Sequence, residues 1–341
     1  MQFLHKLINQ RRSARLCPPV PSVARVAISA EPVFGPWGGG NQWLLQMVRF
    51  LKYSGYDVRF TLSDDVDCAL VLPSRQQGRM TFGVAELREH RRRNPHFRVI
   101  HRVNDNDVRK GGTGMDAFLA SFDEVTDHTV FISEWLRDHH ARAEGGWFDL
   151  ARPHSCILNG ADPAVFHPVG NRAWKPGEPF RFVTHHWADN AMKGFPQYAE
   201  LDARIAADEL PGVELWVIGR WPKDLVWKTA RTFPPCAGPA LAELLRQCHG
   251  YITASLWEPG GMHFIEGLQA GLPLLYHEDG GGIPELGRRY GVGFRDDLES
   301  GVRALIAGYA GFREKVLTHP PSGDGMCLAY RETIQRVLAE R

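Results

Sequence analysis

Short runs of β-branched and apolar residues recur along this chain with helical stretches between them, and that alternation restricts the fold more than any other feature. RVAISA (25–30), DVRFTL (57–62), CALVLP (68–73), FRVIHRV (97–103) and TVFIS (129–133) have the length and composition of strands. Between the first two, NQWLLQMVRFLKYSG sets Leu44, Met47, Val48 and Leu51 at helical spacing, and Gly55 supplies a left-handed stop. Strands alternating with helices predict a parallel sheet with helical crossovers, an α/β class. The stretch CILNGADPAVFHPVGNRAWKPGEP then breaks the rhythm with Pro, Gly and Asn, as an interdomain connection does. A second series follows: FRFVTHH (180–186), VELWVIG (213–219), YITASL (251–256) and LPLLYH (272–277). The expected domains are therefore 25–165 and 175–315. Residues 1–24 form a leader, and a C-terminal helix over 316–341 is free to pack back on either domain, the N-terminal one in the favoured arrangement.

Composition narrows the function classes. Two domains suit 341 residues, and 43% hydrophobic against 23% charged residues is ordinary for packed cores. With 40 basic and 39 acidic residues the net charge is +1, so no global field draws the chain to nucleic acid, and none is expected as a partner. Cys17, Cys68, Cys156, Cys236, Cys248 and Cys327 are scattered without C-x-x-C or zinc spacing, which fits reduced thiols and a cytoplasmic location. No stretch is apolar for long enough to span a bilayer. Phe3, Leu4, Leu7 and Ile8 alternate with Lys6, Arg11, Arg12 and Arg15, a pattern open to two readings: a peripheral membrane contact or a frayed leader.

In an open parallel sheet, ligands bind beyond the carboxyl ends of the strands, so the residues just after each run carry the chemistry. The most informative string is SLWEPGGMHFIEGLQAGLPLLY. A strand ends, Pro259, Gly260 and Gly261 turn the chain, and a helix from about Met262 to Ala270 directs its N-terminal amides at the cleft, where a diphosphate would sit. Glu258 precedes that helix and Glu266 lies in it, so two carboxylates can accept hydroxyl hydrogen bonds from opposite ends of one extended ligand. An anion site between two such acceptors suits a sugar nucleotide.

That glutamate pair seven residues apart, followed by QAGLPLLY and GGGIPEL, resembles the donor-site signature of retaining family-4-type (group 1) glycosyltransferases with the glycosyltransferase-B fold, two Rossmann-like domains facing across a cleft. The resemblance runs from about 25 to 315 and is stronger in the second half. It implies that Glu258 contacts the transferred sugar and Glu266 the nucleotide ribose. It further implies that Gly260, Gly261 and Met262 cradle sugar and phosphate, and that Gly281, Gly282 and Glu285 line the far wall. Lys193, in HHWADNAMKGF, falls where the family neutralises the donor diphosphate; the arginine many members carry five residues earlier is Ala188 here, leaving Arg220 or a protonated His185 or His186 as the second cation.

On the N-terminal side, Gly38, Gly39 and Gly40 open a helix with the wrong spacing for a dinucleotide fingerprint. By resemblance Gly39 and Gly40 contact phosphate or acceptor, and a plain tight turn is the alternative. VIHRVNDND ends a strand in the same mouth: His101 falls near the transferred sugar by resemblance, while Arg102, Asn104 and Asp105 can read acceptor hydroxyls. Asp105 and Asp107 resemble the start of a calcium loop, but neither the glycine nor the distal glutamate of such a loop follows, so no metal is assigned. Trp37, Trp43 and Trp187 are compatible with stacking on a sugar. The implied reaction is retaining transfer from a nucleotide-diphosphate sugar, UDP or GDP favoured, to an unidentified acceptor, a sugar-bearing glycan, a lipid-linked sugar or a small molecule, with no tightly bound cofactor and no metal. The rivals are an epimerase or hydrolase on the same fold, and a nucleotide-sugar-binding protein without catalysis.

Overall fold

The computed structural model describes residues 23–340 except 34, 36, 76 and 143, so the amphipathic segment read over residues 3–15 lies outside the described residues. Two all-parallel six-stranded sheets organise the chain. The first has the order β2-β1-β3-β4-β5-β6, from β1 (Arg25–Ile28), β2 (Asp57–Arg59), β3 (Cys68–Val71), β4 (Arg98–Val103), β5 (His128–Phe131) and β6 (His154–Cys156). Its crossovers include the helices α1 (Gly39–Tyr53), α2 (Val84–Arg93), α3 (Met115–Ala120) and α4 (Glu134–Arg142). Strand β3, CALV, is buried at every position, as a strand covered on both faces must be.

The second sheet has the order β12-β11-β10-β7-β8-β9, from β7 (Phe180–His186), β8 (Val213–Gly219), β9 (Arg231–Phe233), β10 (Gly250–Thr253), β11 (Leu274–His277) and β12 (Gly291–Phe294). It is wrapped by α5 (Phe195–Ala206), α6 (Gly238–Arg246), α7 (Met262–Gln269), α8 (Ile283–Tyr290), α9 (Leu298–Ala307) and α10 (Tyr309–Thr318). The strands absent from the sequence reading, β6, β9 and β12, include both outer strands of this sheet and one of the first. An edge strand has one neighbour and need not be apolar on both faces: HSC of β6 is half-buried and RTF of β9 is largely exposed.

The chain crosses between the domains twice. After α10 it returns, and α11 (Gly323–Ala339) inserts Met326, Cys327, Tyr330, Ile334 and Val337 into the core that holds Trp43, Leu44 and Met47 of α1. The expected break at 316 falls inside α10, which continues to Thr318. The two crossings run side by side, with Gly323 N–H donating to the Ala161 carbonyl at 2.8 Å and Ala161 N–H to that of Pro321 at 3.2 Å. The carboxyl ends of the two sheets consequently face one another.

Candidate active site

Between the sheets lies a cavity of about 440 Å³ lined from both domains. On the C-terminal side β10 ends at Thr253 and the chain loops through Trp257, which adopts φ 53°, a left-handed conformation unusual for a tryptophan and costing about 1–3 kcal/mol. The loop is held by its neighbours: Trp257 N–H donates to the Asp279 carbonyl at 3.1 Å, and Gly282 N–H to the Glu258 carbonyl at 2.9 Å. Gly281 adopts φ 69°, and a β-carbon there would lie 2.7 Å from the Glu258 carbonyl oxygen, so only glycine allows this packing. The strained loop sets Glu258 at the cavity and leads into α7, whose first turn carries no acidic residue and whose N-cap, Gly261, offers no side chain. The amides of that turn have no intrahelical acceptor and open on the cavity through Gly261, Met262 and His263.

Glu258 is 2% exposed and is held by cations from both domains. Lys193 Nζ lies 2.7 Å from one carboxylate oxygen and Arg109 Nη2 3.2 Å from the other. Burial alone would raise the glutamate's pKa; Arg109 and Lys193 outweigh it and hold the carboxyl at about 2, so Glu258 is ionised. Burial pulls the Lys193 ammonium down and Glu258 opposes that pull. Lys193 sits on a single 3-10 turn, Ala191–Lys193, ended by Gly194 at φ 73°, where a β-carbon would collide with the Ala254 carbonyl at 2.0 Å. Glu266 accepts from His185 Nε2 at 2.9 Å, and the Tyr251 hydroxyl lies 3.0 Å from Nδ1 of the same ring. Held between Tyr251 and Glu266, the His185 ring orients the Glu266 carboxylate.

The N-terminal wall is built from several separated segments. Arg102, at the end of β4, lies with its guanidinium 4.4 Å from the Trp43 ring centre and donates to Asn159 Oδ1 at 2.9 Å. Asn104 and Gly40 line the cavity beside it. Asp105 accepts from Arg75 at 2.7 and 3.0 Å and lies 3.6 Å from Arg109. Gly39 lines the cavity but also packs across it, since a β-carbon there would lie 2.8 Å from Met262 Cγ. Asp105 and Asp107 do not share a ligand site: the Asp107 carboxylate accepts from Met115 N–H at 2.6 Å and so caps α3. Among the described residues Asp116, His139 and His140 could converge on a metal ion, but both ring nitrogens of His140 are used, by the Asp105 carbonyl and by Trp147 Nε1.

Several expected site residues lie elsewhere. Side chains alternate along β4, so that Ile100 and Arg102 face α1 while Val99 and His101 face the opposite layer. His101 is therefore fully buried against Phe122, its pKa driven to about 3 by burial, and it does not reach the cavity. His186 lines the cavity, but its Nε2 lies 2.9 Å from the Tyr198 hydroxyl and burial holds its pKa well below the ordinary value, so the ring is neutral and is not the second cation. Arg220 is exposed and stacks on Trp187, 4.0 Å from the ring centre, outside the cavity lining. Gly281, Gly282 and Glu285 form no wall of the cavity. Glu285 instead bridges the domains, accepting from the amides of Trp135 at 2.6 Å and Glu134 at 3.1 Å at the start of α4. The cation beside Lys193 is Arg109, four residues beyond Asp105 and supplied by the other domain. The sequence signal was adjacent, in NDNDVRKGG, but only the packing brings it to Glu258.

Cations and amides around one end of a cavity, with carboxylates along its wall, can hold an anion joined to a polyol. No protein-family model and no curated protein sequence matches the chain. Solved structures do. A sucrose-phosphate synthase from Thermosynechococcus elongatus is 16% identical with TM-score 0.65, covering 93% of this chain and 99% of that one. A glycosyltransferase from Rickettsia africae is 12% identical with TM-score 0.64, covering 94% and 99%. The catalytic domain of starch synthase IV from Arabidopsis thaliana, bound to ADP and acarbose, is 12% identical with TM-score 0.66, covering 93% and 100%. At these identities the likeness is one of architecture: the chain has the glycosyltransferase-B fold, two Rossmann-like domains facing across a cleft.

Proposed function

We propose that this protein is a glycosyltransferase that moves a sugar from a nucleotide-diphosphate donor to an acceptor with retention of configuration and without a metal ion. The observation that carries this reading is the convergence of the α7 amides, Lys193 and two buried glutamates on one cavity. The motif resemblance and the fold of the neighbouring structures, among them one bound to ADP, support it. In this reading the diphosphate lies at the N-terminus of α7 beside Lys193, and both stabilise the charge that grows on the leaving phosphate. Glu258 accepts from hydroxyls of the transferred sugar, and Glu266, oriented by His185, from the ribose. Donor binding exchanges part of the Lys193–Glu258 contact for phosphate and hydroxyl contacts. No separate general base is assigned, because the departing phosphate can take the acceptor's proton.

The test is a thermal-shift panel of UDP, GDP, ADP and TDP with wild type and Glu266→Ala. A ligand that binds only the native state raises its melting temperature, so one nucleotide should stand out and lose its effect in the variant. If no nucleotide shifts the wild type at millimolar concentration, the donor-site reading fails. Donor consumed at full rate with no acceptor present would instead indicate an epimerase or hydrolase. Tight binding without turnover would indicate a binding protein.

A further inference from the structure

The two walls of the cavity differ in charge. Four arginines line the N-terminal wall, Arg75, Arg79, Arg102 and Arg109, against the carboxylates of Glu31 and Asp105. Asp105 is held by Arg75 and lies near Arg109, which also meets Glu258 from across the cleft. Glu31 is exposed, and among the described residues Arg79 and Arg102 have no ion-pair partner. Arg79 rests on Trp37, 5.1 Å from the ring centre. Arg102 is 1% exposed, its Nη2 on the neutral Asn159 amide, the Tyr330 hydroxyl close to its guanidinium, and its Nε and Nη1 without an acceptor at full hydrogen-bond geometry.

Burying a guanidinium with no carboxylate and unmet donors is costly unless a ligand supplies the anion. Beside Arg102 the 15-residue helix α1 begins at Gly39 with no acidic residue in its first turn and no side-chain cap, so its partial positive charge points to the same region. The donor diphosphate has its own amides and lysine on the facing wall. We infer that the N-terminal wall is a subsite for an oxyanion carried by the acceptor, a phosphate ester or a carboxylate close to the accepting hydroxyl. This rests on the glycosyltransferase reading and adds to it the chemical class of the acceptor. Arg102 and the first turn of α1 hold the oxyanion, and Arg79 with Trp37 closes over the sugar that bears it.

The experiment uses the full chain saturated with whichever nucleotide the panel selects, then adds glucose 6-phosphate, glucuronate or glucose at equal concentration and ionic strength. One charged sugar should raise the melting temperature by several degrees beyond the nucleotide alone, and glucose should not; which of the two does so identifies the group. Arg102→Gln and Arg79→Gln should each remove most of that extra rise while leaving the nucleotide's own shift intact. Arg79 is partly exposed and rests on Trp37, itself 48% exposed, so its variant keeps the test open should Arg102→Gln fold poorly. An equal rise with glucose, no rise with either charged sugar, or loss of the nucleotide's shift together with the sugar's in the variants each overturns the inference. In the last case the arginines serve the donor. Absence of any nucleotide shift in wild type is a separate failure, that of the donor site.

Discussion

The two walls of the cleft are made in opposite ways. On the C-terminal wall the polar groups come mostly from one string: Glu258, Gly260, Gly261, Met262, His263 and Glu266 lie within nine residues, with His185 added from β7 and Lys193 from the turn beyond it, while residues 218–219 and 235–241 complete the lining. The N-terminal wall gathers Trp37, Arg79, Arg102 with Arg109, and Asn159 from four separate stretches of chain, and it is arginine-rich where the other is mixed. A helix N-terminus comes with its amides whatever surrounds it, so one local motif suffices for the first wall. A cluster of guanidiniums repels itself and holds only where the fold and its counter-charges place it, so the second exists through packing alone.

Glu258 is where the walls meet, and its loss should have the largest effect. Glu258→Gln leaves buried Lys193 without its carboxylate and part-buried Arg109 with Asp105 alone, and unfolding in denaturant should show about 3 kcal/mol of destabilisation. An effect under about 1 kcal/mol would mean that solvent reaches the pair and the walls are not electrostatically joined. Because the folded pKa of Glu258 is depressed from 4.5 to about 2, the pair's contribution is complete above pH 4.5 and is lost as the pH falls towards 2.

Lys193→Ala tests the C-terminal wall alone. If phosphate departure is stabilised there, kcat should drop by about 10²–10³-fold in protein that stays folded through the remaining Arg109–Glu258 pair. A drop of less than about tenfold would shift the catalytic weight to Arg109 and erase the division of labour between the walls.

Glu285→Ala addresses how the walls are held together without touching the cavity. Losing the cap on the α4 amides should cost about 1–2 kcal/mol. It should also widen the molecule in small-angle scattering while the nucleotide's thermal shift persists. Loss of nucleotide binding with no change in shape would return Glu285 to the donor site.

The smallest effect is expected from His101→Leu, which should leave turnover unchanged, since the ring packs on Phe122 and does not reach the cavity. Its signature lies in acid. A histidine held neutral with a pKa of about 3 has nothing to lose above pH 6.5; below it, the unfolded chain takes up a proton that the folded one refuses. Wild type should lose up to about 1.4 kcal/mol per pH unit from this ring between pH 6.5 and 3, and the variant should not. A large fall in kcat at neutral pH would place His101 in the chemistry after all.

The sequence by itself determined the parallel α/β class, the two series of strands and the string from Glu258 to Glu266, because periodicity, glycine turns and helix ends are encoded within a few residues of where they act. It left the edge strands β6, β9 and β12 unread, since an edge carries little apolar signal. Tertiary structure alone decided which side of β4 faces the cleft, turning Arg102 in and His101 away, because a strand's alternation fixes two faces but not which one meets the ligand. It also decided that Glu285 caps a helix of the other domain and that Arg109 supplies the cation absent at Ala188. Those contacts join residues about 150 apart in the chain, where nothing local in either segment states the partner.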